Sequence, residues 1–267
     1  MYEVVEVALA TVSRLYAYHI DKVYGADFSI KGFDRPWLVS SHDWQNGERV
    51  LEVGAAYSNI PMYLQQTYGC EVWVADDFGT KSNETFWTRD RSPQEHVTAH
   101  PEIKFVLERL GEPVSSLPEE YFDVVYSLSA LEHVPGHLTR AVWSHMDRLL
   151  KPGGSMIHAI DMPFPSNFGI LGLLKAAGFE FLSPLLPQKL LNKYIRVTPR
   201  SYLRQAFSGL RIRTPHSKNF SLVNMALNPD ILTESYAHGL NRIKKDGNTS
   251  FRYYREGSLL VHIKKVA

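Results

Sequence analysis

The residues whose types and spacing could do chemistry lie between positions 50 and 80. Val50, Leu51 and Val53 form a short apolar run with β-branched members, the pattern of a buried strand. Gly54, Ala55 and Ala56 follow, so the chain can turn tightly and a ligand can approach without meeting a large side chain. Ser58 or Asn59 then offers an N-cap, Pro61 suits a first helical turn, and Gly69 suits a C-terminal stop. Strand, glycine turn and helix N-terminus make a unit that cradles nucleotides. The next strand, Glu71 to Ala75, ends in Asp76 and Asp77. Asp76 follows Gly54 by 22 residues, close to the interval at which a carboxylate meets a ribose diol. A carboxylate suits that task because it accepts from both hydroxyls. By itself, a strand-end Asp also caps turns.

These residues need a doubly wound α/β scaffold, and the chain can supply one. Its 267 residues suit one α/β domain with insertions, and 44% hydrophobic content supports a sizeable core. The lone Cys70 excludes a disulfide framework and a thiolate cluster and favours a reducing compartment, the cytoplasm. No basic, apolar leader is apparent at the N-terminus, and no apolar run reaches spanning length.

In order along the chain, Val4, Val5, Ala8, Leu9, Val12, Leu15 and Tyr16 fall at helical spacing, which predicts a helix over 3–20. Residues 21–48 read as loop with a short element near Trp37, and 78–101 as polar loop. Strands are expected at Ile103–Leu107, Phe122–Ser127 and Ser155–Asp161, the last after a helix stopped by Lys151-Pro152-Gly153-Gly154. Thr198-Pro199 opens a further helix. Leu210–Arg213 and Leu259–Lys265 read as the sixth and seventh strands.

The series LEVGAAYSN, VWVADD, FDVVYSLSALEHV and RLLKPGGSMIHAI, in this order and spacing, resembles the class I S-adenosylmethionine-dependent methyltransferases. The resemblance covers residues 49 to about 161 and says little about substrate. It implies a Rossmann-like seven-stranded α/β sheet with helices on both faces and a cap built from C-terminal insertions. The expected organisation is one domain over 1–267. Residues 1–48 would be a helical lid, 49–161 the cofactor core, 162–196 and 214–257 the cap, and 197–213 with 258–267 the rest of the sheet.

The resemblance also implies site residues for S-adenosyl-L-methionine. Glu52, Gly54, Ala55 and Ser58 would face its methionine part, and Asp76 with Asp77 its ribose. Glu108, Arg109 and Leu110 lie where the family reads adenine, and Ser127 matches the end of the fourth strand, whose backbone would lie near the cofactor's amino acid group. Ala56 and Ser58 stand where the family pattern has glycines, so the turn is less permissive. In the related ubiquinone-pathway O-methyltransferases a metal site uses a Glu three residues before the Glu-His pair. That position is Ser129 here, so no such metal site is expected.

Methyl transfer needs the acceptor in line with the methyl group, and a hydroxyl acceptor benefits from a general base. His133, in the Leu-Glu-His turn, is one candidate base, and Asp161, at the carboxyl end of the fifth strand, is the other. His133 could equally be a helix-start residue bonding backbone or Glu132.

Charge is divided unevenly: residues 1–150 hold 12 Lys/Arg against 22 Asp/Glu, and residues 151–267 hold 17 against 6. An anionic acceptor met by the second half would explain this, as would mutual neutralisation of the two halves. The expected acceptor is a small molecule or saccharide, methylated at oxygen and anionic or lipid-linked. The apolar cap with basic neighbours leaves peripheral membrane contact open. A nucleic-acid methyltransferase is the alternative, disfavoured by the modest net charge and by the lack of an Asn-Pro-Pro-aromatic motif. A non-catalytic scaffold is another, and oligomeric state is not legible.

Overall fold

The fold was read from a computed structural model. It describes residues 1–11, 14, 30–79, 92–112, 115–163, 198–210, 212 and 256–267, with isolated positions between 174 and 187. Seven strands form one sheet: β1 (Tyr2–Leu9), β2 (Arg49–Val53), β3 (Glu71–Ala75), β4 (Lys104–Val106), β5 (Phe122–Leu128), β6 (Leu150–Pro163) and β7 (Glu256–Lys265). Their order across the sheet is β1-β7-β6-β5-β2-β3-β4. The five strands from β6 to β4 run parallel, whereas β7 is antiparallel to both β6 and β1.

Helices α1 (Ile30–Ser40), α2 (Ile60–Tyr68), α3 (Pro93–Ala99), α4 (Thr139–Leu149) and α5 (Pro199–Leu210) lie among the described residues. Phe33, Trp37 and Leu38 of α1 and Ile60 and Leu64 of α2 cluster with Val50, Val72, Val124, Tyr126 and Leu260. Trp143 and Met146 of α4 and Tyr202, Leu203 and Phe207 of α5 cluster with Leu51, Val125, Met156, Ile160 and Val261. Adjacent residues such as Val124 and Val125 thus feed opposite cores, so the central strands are apolar on both faces.

Several local signals act as expected. Gly69 adopts φ 72° and closes α2 by donating its N–H to the Gln65 carbonyl. Thr198 caps α5: its Oγ1 accepts from the Ser201 N–H at 3.1 Å, and Ser201 Oγ accepts from the Thr198 N–H at 3.3 Å. The Lys-Pro-Gly-Gly turn is a register shift, since Phe122 pairs with Leu150 and Val124 with Ser155. A Cβ on Gly154 would lie 2.7 Å from the Asp123 carbonyl oxygen.

Other expectations are corrected. Residues 2–9 form a strand, not the start of a helix, because Val4 and Val7 pair along the free edge of β7, with a register shift at Val5. The strand expected at 210–213 is absent from its described positions: Leu210 ends α5 and Ile212 lies in coil. β1 takes that edge instead. Residues 30–40 form a helix despite Gly32 and Pro36, and 93–99 form a helix inside the expected polar loop. Met162 and Pro163 pair with Gly257 and Glu256. Apart from the isolated positions noted, the remainder of both cap insertions lies outside the described residues, as do residues 12, 13 and 15–20 of the expected N-terminal helix.

Candidate functional site

A cleft opens at the carboxyl ends of β2, β3, β4 and β5, where an open parallel sheet places ligands. Gly54 enters its floor with φ 72°, and a Cβ there would lie 2.5 Å from Ala130 Cβ. Glycine is thus required twice, by conformation and by space. Ala56 also has positive φ (45°), and so does Phe78 (48°) after the next strand.

Asp76 holds both of these residues. Its Oδ2 accepts from the Ala56 N–H and its Oδ1 from the Phe78 N–H, each at 2.6 Å. Burial raises its pKa above the ordinary aspartate range, opposed by the two amides. Each oxygen keeps acceptor capacity for a ligand hydroxyl. Asp77 accepts from the Gly79 N–H at 3.1 Å and lies 3.1 Å from Arg109 Nη2. Leu110 is a buried apolar wall. Glu108 also lines the cleft, but its carboxylate is held by the Ser115 hydroxyl and by the Ser116 N–H at 3.0 Å. Those bonds outweigh burial and lower its pKa.

Behind the floor, Glu52 is fully buried. Tyr126 donates its hydroxyl to Glu52 Oε2 at 2.7 Å, and Ser58 also hydrogen-bonds the carboxyl. Burial dominates and pushes the carboxyl up to about 8, aided by the negative Asp76.

Of the residues expected at the site, Gly54, Asp76, Asp77, Arg109, Leu110 and His133 line one cleft. Ala55 is buried beneath it, and Ser58 joins Glu52 there. Ser127 does not line it: its hydroxyl is buried and lies 2.9 Å from His158 Nδ1. Asp161 stands one residue back, accepting from the Ser129 hydroxyl at 3.0 Å. Ser129 and Ala130 line the cleft in their place. His133 sits at the rim with its side chain 62% exposed and Nε2 3.7 Å from the buried Glu132. Tyr126 was missed because an aromatic in an apolar strand reads as core. The only sequence signal was its shared face with Val124. Among the described residues, no group of three or more His, Cys, Asp or Glu could hold a metal ion.

Residues 51–158 match a family model described as a methyltransferase domain. Among solved structures, a sarcosine dimethylglycine methyltransferase from Galdieria sulphuraria is 17% identical with a TM-score of 0.45, covering 94% of this chain and 97% of its own. Phosphoethanolamine N-methyltransferase 2 of Haemonchus contortus, in complex with S-adenosyl-L-methionine, is 15% identical with a TM-score of 0.47, covering 96% and 57%. Geranyl diphosphate C-methyltransferase of Streptomyces coelicolor A3(2) is 13% identical with a TM-score of 0.48, covering 88% and 79%. The comparison with curated proteins finds no match.

Proposed function

We propose that this chain is a class I S-adenosylmethionine-dependent methyltransferase, supported by the match of residues 51–158 to a methyltransferase domain, and that it methylates an oxygen of a small or saccharide-type acceptor carrying an anionic or lipid-linked group. The cleft fits the cofactor. Gly54 leaves no room for a side chain, Asp76 has acceptor capacity for a diol, and the neighbouring acids suit a cation. When bound, the cofactor supplies an electrophilic methyl on a sulfonium. Asp76 would take the ribose hydroxyls, Gly54, Ala55, Ser58 and Glu52 the methionine end, and Asp77, Arg109 and Leu110 the adenine side. Ser127 would act only through the backbone at the end of β5.

His133 is the favoured base, because its exposed rim position gives an acceptor hydroxyl access to an imidazole, the side chain most often used for proton transfer. Asp161 would then orient Ser129 and meet the acceptor only at second hand. The acceptor's charge is inferred from the basic second half, and Arg252 and Arg255 are the cations proposed to meet it. Exposed Phe181 and Leu185 support contact with a lipid surface or lipid-linked group. No helix among the described residues is long and apolar enough to cross a membrane. The cytoplasm remains the proposed compartment, on the lone Cys70.

The observation that carries the cofactor assignment is Asp76, half-buried at the cleft with both oxygens fixed by backbone amides. Calorimetric titration with S-adenosylmethionine and S-adenosylhomocysteine tests it. Binding by the wild-type protein and its loss in Asp76→Ala is the expected result, and equal affinity in both would remove Asp76 from the site. Charge reversal of Arg252 and Arg255 should abolish turnover of an anionic acceptor without changing cofactor affinity.

A further inference from the structure

The polar stretch after β3 hides a cluster of rings. Tyr57, in the glycine turn, and Phe78, in the turn after β3, lie with centroids 5.4 Å apart. His96 of α3 packs edge-on against Tyr57 at 5.1 Å and against Phe78 at 6.3 Å. The same imidazole meets Phe105 of β4 at 5.5 Å and His100 at 4.9 Å. Among the described residues, His96 is the ring common to both turns and to the edge strand.

Both turns carry strained backbone. Ala56, next to Tyr57, has φ 45°, and Phe78 has φ 48°. A left-handed conformation is unfavourable for residues with a Cβ, so each turn needs an outside hold. Asp76 supplies one from inside the cleft, through the Ala56 and Phe78 amides. The ring cluster supplies the other from outside. Gly79, one residue beyond Phe78, and Ala56 itself both line the cleft, so movement of either turn changes the cleft's shape.

We propose that His96 is a positioning residue for cofactor binding, its ring clamping the glycine turn to the turn after β3 so that Asp76 meets the ligand in a preset geometry. The proposal rests on the cofactor reading above. The imidazole acts through Tyr57 and Phe78. A rigid pair of turns spares the ligand the ordering that binding would otherwise impose.

Two measurements on the full chain test this. The first is amide hydrogen exchange without ligand. His96→Ala should speed exchange at the Ala56 and Phe78 amides about tenfold, and His96→Phe, which keeps a ring, should restore protection. The second is calorimetric binding of S-adenosylhomocysteine, expected to weaken about tenfold in His96→Ala and to recover in His96→Phe. Tyr57→Ala removes the same contact from the exposed side and should repeat both effects if the first variant folds poorly. Wild-type exchange and affinity in His96→Ala would overturn the proposal. So would exchange raised evenly through β2, β3 and β5, which marks a general packing role. If the wild-type protein fails to bind S-adenosylhomocysteine, the cofactor assignment falls. The exchange arm, which needs no ligand, shows separately whether the clamp exists.

Discussion

Replacing Glu52 with glutamine should make the unliganded protein more stable above neutral pH while weakening its hold on cofactor. In the folded chain burial keeps this carboxyl up near 8, whereas its ordinary value is 4.5. Between those values the folded state holds a proton that the unfolded chain has released, so stability falls as pH rises. The loss is complete above about 8. At ~1.4 kcal/mol per tenfold change in proton affinity, the gap amounts to at most about 5 kcal/mol, a large share of a domain's stability. His158, pushed down to about 3, and His262, pushed down to about 4, act in the opposite direction. Their unfolded forms gain protons below 6.5, so they raise stability with pH only up to that point. From pH 6.5 to 8 the Glu52 slope stands clear of them and is worth about 2 kcal/mol. The substituted amide would keep an acceptor for the Tyr126 hydroxyl and carries no charge to bury. Urea unfolding followed by tryptophan fluorescence at pH 6.5, 7.2 and 8 should show wild type losing about 2 kcal/mol and Glu52→Gln staying level. Parallel curves would refute the reasoning, because they would mean the carboxyl is already ionised in the fold.

Gly54→Ala adds strain at φ 72° and a Cβ 2.5 Å from Ala130 Cβ. It should lower unfolding free energy by about 1–3 kcal/mol and abolish calorimetric cofactor binding. His158→Phe removes an imidazole that stays neutral in the core, so the stability lost between pH 6.5 and 4.5 should shrink by about 3 kcal/mol, whatever the offset from the orphaned Ser127 hydroxyl. Urea titrations at the two pH values measure it.

The parts of the fold legible in the sequence were those fixed by local chemistry. Val50–Val53, Glu71–Ala75 and Phe122–Ser127 are short apolar runs, and such runs are strands when both faces are covered. Gly54 and Gly69 announced positive φ, and both have it. β1 was not legible because Val4, Val5, Ala8 and Leu9 fit one face of a helix as well as they fit a strand. What decides is the edge of β7, at the far end of the chain. α1 was hidden by Gly32 and Pro36, which weaken a helix in isolation; here Phe33, Trp37 and Leu38 of the same helix lie in the core and outweigh them. Strand parity turns the Ser127 hydroxyl away from the cleft and leaves only its backbone at the strand end. Val125 faces α4, so Ser127 does too, and its hydroxyl goes to His158 beside Trp143.

Parity and strain together explain why the cleft is where it is. Four non-glycine residues among those described have positive φ, and three of them, Ala56, Phe78 and Ser129, follow the carboxyl ends of β2, β3 and β5. Each is held by a carboxylate or by the neighbouring strand. Asp76 grips the Ala56 and Phe78 amides, Asp161 accepts the Ser129 hydroxyl, and the Ser129 N–H donates to the Ala159 carbonyl at 2.9 Å. A glycine at these positions would relax the strain but would also free the turn. The acids at the strand ends therefore shape the backbone before any ligand arrives. For Asp76, the residue that spacing assigned to the ribose diol, the two roles are physically linked: a carboxylate already anchored by two amides loses little freedom when it takes a third partner.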